Sequence, residues 1–372
     1  MGTPFDFWFL ILLHIYPIPR QLTTSPYLDQ LYAPFDQWPD VVIRRVPFKH
    51  AVREIIRKRE RIIAHWHFFD ELTQQPAALT TAVRTMAFIA GLRVLRARGA
   101  KLVWTAHNLE PHELRHPRWA ERAYRTMFEQ AHAVIAHSQA AATLLRSRYH
   151  AAAPITVIPH GAYVGLHGPR RAKAASRAAL GLPVAGLIAL NLGTLRPYKG
   201  LELLLEAWSG FAGAGRLLVA GGVKDAAYAA ALRHQASPIN NVDLRLDFVP
   251  DADLPTWFGA ADVVVLPYRK LLTSGILLWA LSYGVPVVAP DVAPVRELIS
   301  EGVQGFLFTP NDPNSLRNAL QRAAAYPDLA ALGEAAYQTA LPFDWPSIAA
   351  RTAAVYREVG RMKEEVRSRN EK

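Results

Sequence analysis

Two cations just behind a tight turn can hold a diphosphate, and Asn191–Gly200 (NLGTLRPYKG) has that arrangement. An apolar run ends at Asn191, Gly193 permits a sharp turn, and Pro197 and Gly200 bound a loop before a helical pattern over Leu201–Trp208. A strand–loop–helix unit presents backbone N–H groups and the positive end of a helix dipole at the loop. Arg196 can bond two phosphate oxygens through its planar fork, and Lys199 adds a compact charge. The same residues also fit a surface loop with incidental cations. A second stretch, Leu266–Pro290 (LPYRKLLTSGILLWALSYGVPVVAP), has an apolar run ending near Pro267 and then a loop. Thr273-Ser274-Gly275 then heads a helix expected over Ile276–Tyr283. Serine or threonine ahead of a helix is first a cap, and glycine beside it leaves N–H groups accessible to an anion.

The N-terminal half has a different chemistry. Trp104–Glu113 (WTAHNLEPHE) places His107, Asn108, Glu110, His112 and Glu113 behind an apolar run. His65-Trp66-His67, with Asp70 and Glu71, lies behind another. Such clusters bind sugar hydroxyls, stack a sugar ring on an aromatic, or take a proton. Glu113 and Asp70 are the carboxylate candidates for a base. A lone histidine is more often structural than catalytic. The spacings of these histidines and carboxylates match no metal-ligand motif.

Chemistry of this kind needs elements that hold it. Apolar runs at Val103–Thr105, Ala133–Ala136 and Ile155–Ile158 alternate with helical patterns. The second half repeats the rhythm at Leu187–Asn191, Arg216–Ala220, Val242–Leu246, Val263–Leu266 and Val285–Ala289. This is the βαβ signature of parallel sheets covered by helices, whose ligands bind at the carboxyl ends of strands. Phe7–Ile15 (FWFLILLHI) reads as a further buried strand. The boundary between the two series falls in the Gly-, Ala-, Arg- and Pro-rich Gly161–Pro183. We expect a first domain over residues 1–165, a second over 184–344, and a helix with a polar end over Trp345–Arg369 within a terminal segment 345–372.

The two C-terminal stretches together resemble the donor-binding domain of GT-B glycosyltransferases related to family 4. That family's G-x-L-x-x-x-K-G loop is matched by Gly193 through Gly200, and its downstream alanine-leucine, glycine, proline-valine-valine element by Ala280–Val288. Glu297, Gly302–Phe308, Asn311 and Asp312 continue the pattern, and Ile158–Gly161 and Ala133–Ser138 resemble its earlier strand ends. The resemblance implies an α/β GT-B architecture, with two Rossmann-like domains facing across a cleft and a C-terminal helix crossing back onto the first. It implies an acceptor in residues 1–165 and a nucleotide sugar in residues 184–344. The donor would be contacted through Gly193, Thr194, Arg196, Lys199, Thr273, Ser274 and Gly275. It places His107 toward the transferred sugar and implies no cofactor and no metal. The chain departs from the pattern at three places. Leu271 and Trp279 stand where many members carry two glutamates, and Thr194 stands where the family has an arginine. If the transfer inverts configuration, a carboxylate or histidine of the first domain takes the acceptor proton. The missing glutamates leave a second reading, a catalytically inactive sugar-nucleotide or glycan-binding protein.

Composition agrees with two packed domains: 372 residues, 51% hydrophobic and 20% charged. The absence of cysteine excludes disulfides, thiolate zinc sites and cysteine nucleophiles. Phe7–Ile15 is too short to span a bilayer and no cation precedes it, and no other run reaches transmembrane length, so a cytoplasmic protein is expected. The net charge is +11, and residues 1–165 carry 20 Lys and Arg against 12 Asp and Glu. Arg44–Arg61 (RRVPFKHAVREIIRKRER) holds eight of these cations. It reads either as a solvated helix face or as a surface for anionic lipid, nucleic acid or phosphorylated substrate. No helix-turn-helix, zinc module or aromatic ladder accompanies it, so nucleic acid is not expected as a partner. A peripheral position on the inner face of the membrane, next to a lipid-linked or oligosaccharide acceptor, is.

Overall fold

The computed structural model describes residues 12–22, 25–57, 61–111, 113–149 and 153–362. The chain forms two compact units. One holds the described residues up to Pro159 together with those from Trp345 on, and the other holds His160–Asp344.

The first unit is built on six parallel strands: β1 (Leu13–Ile18), β2 (Val41–Ile43), β3 (Ile62–Trp66), β4 (Lys101–Ala106), β5 (Ala133–Ala136) and β6 (Ile155–Val157). Their order across the sheet is β2-β1-β3-β4-β5-β6. Its helices are α1 (Tyr27–Tyr32), α2 (Phe48–Arg57), α3 (Asp70–Thr73), α4 (Ala78–Ala97), α5 (Pro117–Gln130) and α6 (Gln139–Tyr149). Strand β1 begins and ends later than the sequence reading of Phe7–Ile15; Phe7–Ile11 lie outside the described residues. The strand runs on through Tyr16 and Pro17 because β3 pairs with it as far as Ile18. Helix α4 corrects a second expectation. By length and composition it is apolar enough to cross a membrane. Here it covers the sheet, burying Phe88, Ile89, Leu92 and Leu95 and packing on α2 and α5.

The second unit repeats the plan with β7 (Leu187–Leu192), β8 (Gly215–Ala220), β9 (Val242–Arg245), β10 (Val263–Val265), β11 (Val287–Pro290) and β12 (Gly305–Phe308). Their order is β12-β11-β10-β7-β8-β9, all parallel. The unit's helices are α7 (Lys173–Leu180), α8 (Leu201–Ser209), α9 (Ala226–Ala236), α10 (Leu254–Ala260), α11 (Gly275–Ser282), α12 (Ala293–Arg296), α13 (Pro313–Ala325) and α14 (Leu329–Ala340). Strands β7, β10 and β11 are buried throughout, which explains their apolar sequences, broken only in β7 by Asn191, whose amide donates to the Val265 carbonyl. Helix α7 falls inside the stretch that composition marks as a boundary, yet it packs on α10. Arg177 of α7 is buried and paired with Asp262. Asp262 also receives Lys173 at 2.6 Å and the Ile188 N–H at 2.6 Å, so both of its oxygens are satisfied.

The last helix, α15 (Trp345–Arg361), returns to the first unit. Arg357 makes a two-pronged bond to Asp40 at 2.7 and 2.9 Å and holds that carboxyl below its usual range. Arg351 caps the Val157 carbonyl, and Tyr356 enters the core. Residues 363–372, the end of the expected helix, lie outside the described residues.

Candidate active site

Strands β7 and β10 are neighbours in space but not in sequence, so the connections of the second sheet reverse direction between them. Open α/β sheets bind ligands at such a point, outside the carboxyl ends of the strands. The two motif-bearing loops follow these two strands. They are tied together by Asn191 Nδ2 donating to the Val265 carbonyl at 2.8 Å and by the Arg269 N–H donating to the Tyr198 carbonyl at 3.0 Å.

Two glycines make the close approach possible. Gly200 has φ +67°, and a Cβ there would stand 2.1 Å from the Pro267 carbonyl oxygen. Gly193 has φ +110°, and its Cβ would meet Ile276 Cδ1 at 3.1 Å and Lys199 Nζ at 3.3 Å. Thus the turn of the first loop, its lysine and the first turn of α11 from the second loop come to one place. Lys199 is only 8% exposed. Its ammonium stands 5.5 Å from the centre of the Tyr268 ring and has no carboxylate partner among the described residues. Burial, and secondarily the charge of Arg196, pulls its pKa down to about 8. The head of α11 supplies donors beside it. Ser274 Oγ accepts the Leu277 N–H at 3.2 Å, the expected cap, which leaves the Gly275 and Ile276 N–H groups at the helix start. Thr273 Oγ1 is buried with no hydrogen-bond partner among the described residues. Thr194 and Arg196 are half-buried in the same loop. A buried cation with no carboxylate partner among the described residues, a helix head and an orphan hydroxyl thus lie together where the two loops meet.

Trp279, where the family resemblance leads a glutamate to be expected, lies flat on Tyr163 with ring centres 4.1 Å apart and planes 10° apart. His167 and Tyr283 extend the stack. The side chain is spent on packing.

In the first unit, three adjacent strands each end one residue before a histidine: His67 after β3, His107 after β4 and His137 after β5. Their rings form a line. Tyr32 Oη meets His67 Nε2 at 2.8 Å, His67 Nδ1 meets His107 Nε2 at 3.5 Å, His107 Nδ1 meets His137 Nε2 at 3.3 Å, and His137 Nδ1 meets the Ile158 carbonyl at 3.0 Å. His65 lies behind, bonded to Tyr32 and Tyr356 through Nδ1 and to Thr105 through Nε2. Burial drives His65 down to about 3, His137 to about 4 and His67 well below its ordinary value. The nitrogens meet in pairs, and among the described residues no three ligating groups converge on a metal position. His107 is further clamped by Phe68, stacked at 4.2 Å, and by the edge of Tyr27.

The two carboxylate candidates have other company. Asp70 opens α3 and accepts the Tyr124 hydroxyl at 2.6 Å, and Glu113 faces Arg115 at 3.1 Å on an exposed loop. His112 lies outside the described residues. Sequence reasoning passed over His137, although the signal was present: an apolar run followed at once by histidine, as at His67 and His107.

Two Rossmann-like units, each built on its own six-stranded parallel sheet, are the GT-B plan. Residues 19–164 match the family described as Glycosyltransferase Family 4, and residues 186–325 match Glycosyl transferases group 1. The GDP-mannose:glycolipid 4-beta-D-mannosyltransferase of Xanthomonas campestris pv. campestris is 30% identical over 77% of this chain and 75% of its own length. A D-inositol 3-phosphate glycosyltransferase of Thermobispora bispora is 31% identical over 70% of this chain and 65% of its own length. Among solved structures, Anabaena HepE in complex with UDP and glucose superposes with a TM-score of 0.68, at 18% identity, over 93% of this chain and 100% of that one. The chain belongs to the group 1, family 4 glycosyltransferases and is a nucleotide-sugar-dependent enzyme.

Proposed function

We propose that this enzyme moves a hexose from a nucleoside diphosphate sugar to a lipid-linked saccharide in polysaccharide or glycoconjugate assembly. The observation that carries the reading is Lys199, a buried ammonium with no carboxylate partner among the described residues, placed beside Gly193 and the head of α11. Burying an unpaired cation is unfavourable unless a ligand completes it. Residues 184–344 take the donor, with Gly193, Thr194, Arg196, Lys199, Thr273, Ser274 and Gly275 around its phosphates. As the sugar leaves, charge grows on the diphosphate, and Lys199, Arg196 and the helix head stabilise that charge more than they stabilise the ground state. Residues 1–165, with α15 packed on them, take the acceptor. Asp70 already holds a phenol and Glu113 an arginine, so the contact to the transferred sugar or acceptor falls to His107. Activity needs no divalent ion on this account, because side chains neutralise the phosphates, and turnover should persist in chelator.

The acceptor's position follows from the surface of the first unit. Lys49, Arg53 and Arg57 are exposed at four-residue spacing on α2, and Phe48 is exposed beside them. Helix α4, against which α2 packs, exposes Leu79, Val83, Met86 and Val94. A cationic stripe next to apolar side chains suits the anionic cytoplasmic face of a membrane, held peripherally. Lys58 and Arg59, of the same basic stretch, lie outside the described residues.

The test is transfer itself: the purified chain, GDP-mannose or UDP-glucose, and a polyprenyl-diphosphate-linked saccharide, with the product weighed by mass spectrometry. One added hexose is expected. A panel of nucleotide sugars that neither raises the melting temperature nor is consumed would overturn the proposal.

A further inference from the structure

The histidine line has a polarity. A carbonyl oxygen only accepts, so His137 Nδ1 must carry the hydrogen that meets the Ile158 oxygen at 3.0 Å. His137 lies at the end of β5, is 8% exposed and is neutral under ordinary conditions. With its one hydrogen on Nδ1, its Nε2 is a bare acceptor. The His107 nitrogen 3.3 Å away must then be the donor, so His107 Nδ1 is protonated. That holds whether the His107 ring is neutral or charged, and the only nitrogen of His107 at which a proton can be gained or lost is Nε2. In the neutral line, His107 Nε2 accepts from His67 Nδ1, and His67 Nε2 accepts from the Tyr32 hydroxyl. The bond at Nε2 is long, 3.5 Å, and weak beside the one that fixes Nδ1, so a substrate hydroxyl can compete for that lone pair. Phe68, stacked on the ring, and Tyr27, perpendicular to it at 4.9 Å, oppose a turn of the ring that would exchange its nitrogens.

We propose that His137, anchored by the Ile158 carbonyl, is a positioning residue for glycosyl transfer: it fixes the hydrogen of His107 on Nδ1 and leaves Nε2 as the working nitrogen toward a sugar or acceptor hydroxyl. The inference rests on the reading that His107 meets the transferred sugar or acceptor. Under it, His107 presents an acceptor to the substrate in its resting form, and its orientation is inherited from a backbone carbonyl two side chains away. No atom of His137 needs to touch the substrate.

The experiment compares His137→Gln, His137→Leu and His107→Ala in the full chain. A glutamine amide oxygen can take the place of His137 Nε2 and keep accepting from His107 Nδ1, whereas leucine cannot. His137→Leu should lower kcat about ten- to a hundredfold, the scale of a misplaced catalytic group, and leave KM for the nucleotide sugar unchanged. His137→Gln should recover most of that loss, and melting temperatures identify any variant that fails to fold. Nitrogen-15 spectra of histidine-labelled wild type should show His107 with a protonated Nδ1 and a bare Nε2, and His137→Leu should mix the two tautomers. A bare Nδ1 on His107 in wild type, or a folded His137→Leu enzyme with wild-type kcat while His107→Ala is impaired, would overturn the positioning role alone. Full turnover by His107→Ala would overturn it together with the His107 reading beneath it.

Discussion

Replacing Lys199 with methionine should make the protein more stable and a poorer binder at the same time. The structure puts the ammonium in a nearly dry position beside Gly193 and the Tyr268 ring, with no carboxylate partner among the described residues, and its pKa falls from an ordinary 10.5 to about 8. A lysine whose folded pKa is depressed binds its proton less well folded than unfolded. Between about pH 8 and 10.5 the unfolded chain therefore holds more protons, and stability rises with pH across that window. Below pH 8 both states are charged and the full penalty stands, about 3 kcal/mol for a shift of this size. Methionine keeps the length and packing of the stem and removes the charge, so the second unit's transition should rise by roughly 5–10 °C at pH 7. A charge-assisted bond to a partly desolvated phosphate contributes about 1.5–3 kcal/mol, so nucleoside diphosphate affinity should drop about ten- to a hundredfold. Transfer should slow by more, since charge accumulates on the leaving group. Calorimetry of nucleoside diphosphate binding and differential scanning read both effects from one preparation. In wild type the affinity should also weaken above pH 8, as the ammonium loses its proton, and Lys199→Met should lose that dependence. A Lys199→Met protein that melts lower than wild type, or binds the diphosphate as well, would refute the reasoning.

Four further outcomes are expected. Asp262→Ala leaves Arg177 buried without its counter-charge and should destabilise the second unit by about 3–5 kcal/mol in urea. Gly193→Ala forces a side chain into φ +110° against Ile276 and Lys199, and should weaken nucleoside diphosphate binding along with a stability loss of about 1–3 kcal/mol. His65, His67 and His137 are held neutral by burial, below their unfolded values, so stability should fall as pH drops from about 6.5 toward 4.5; three such groups give a slope of up to about 4 kcal/mol per pH unit, measured by urea titration at successive pH. Charge reversal of Lys49, Arg53 and Arg57 should release the enzyme from vesicles containing phosphatidylglycerol, and raising salt should release wild type; equal sedimentation of mutant and wild type would remove the membrane reading.

Much of the second unit was legible in its sequence because its signals are local. Apolar runs ended within a residue of the strand ends, Gly193 and Gly200 marked the turns, and Ser274 capped the helix it preceded. What sequence did not carry was depth and adjacency. Lys199 reads as a cation on a loop, and only the packing of Tyr268 and Ile276 over that loop shows it buried. Trp279 reads as a missing glutamate, and only the fold brings Tyr163 flat against it. The histidine line needs β3, β4 and β5 side by side, and a pattern of apolar runs does not state their order. Arg177 looks like one cation of a basic linker, because its partner Asp262 lies 85 residues on.

The central claim is that the donor diphosphate sits where the loops after β7 and β10 meet. The most direct measurement is a crystal structure of the full chain with a nucleoside diphosphate bound. Phosphate oxygens are expected within hydrogen-bonding distance of Lys199 Nζ and of the N–H groups at the head of α11. A diphosphate bound elsewhere, with Lys199 still unpaired beside Tyr268, would contradict it.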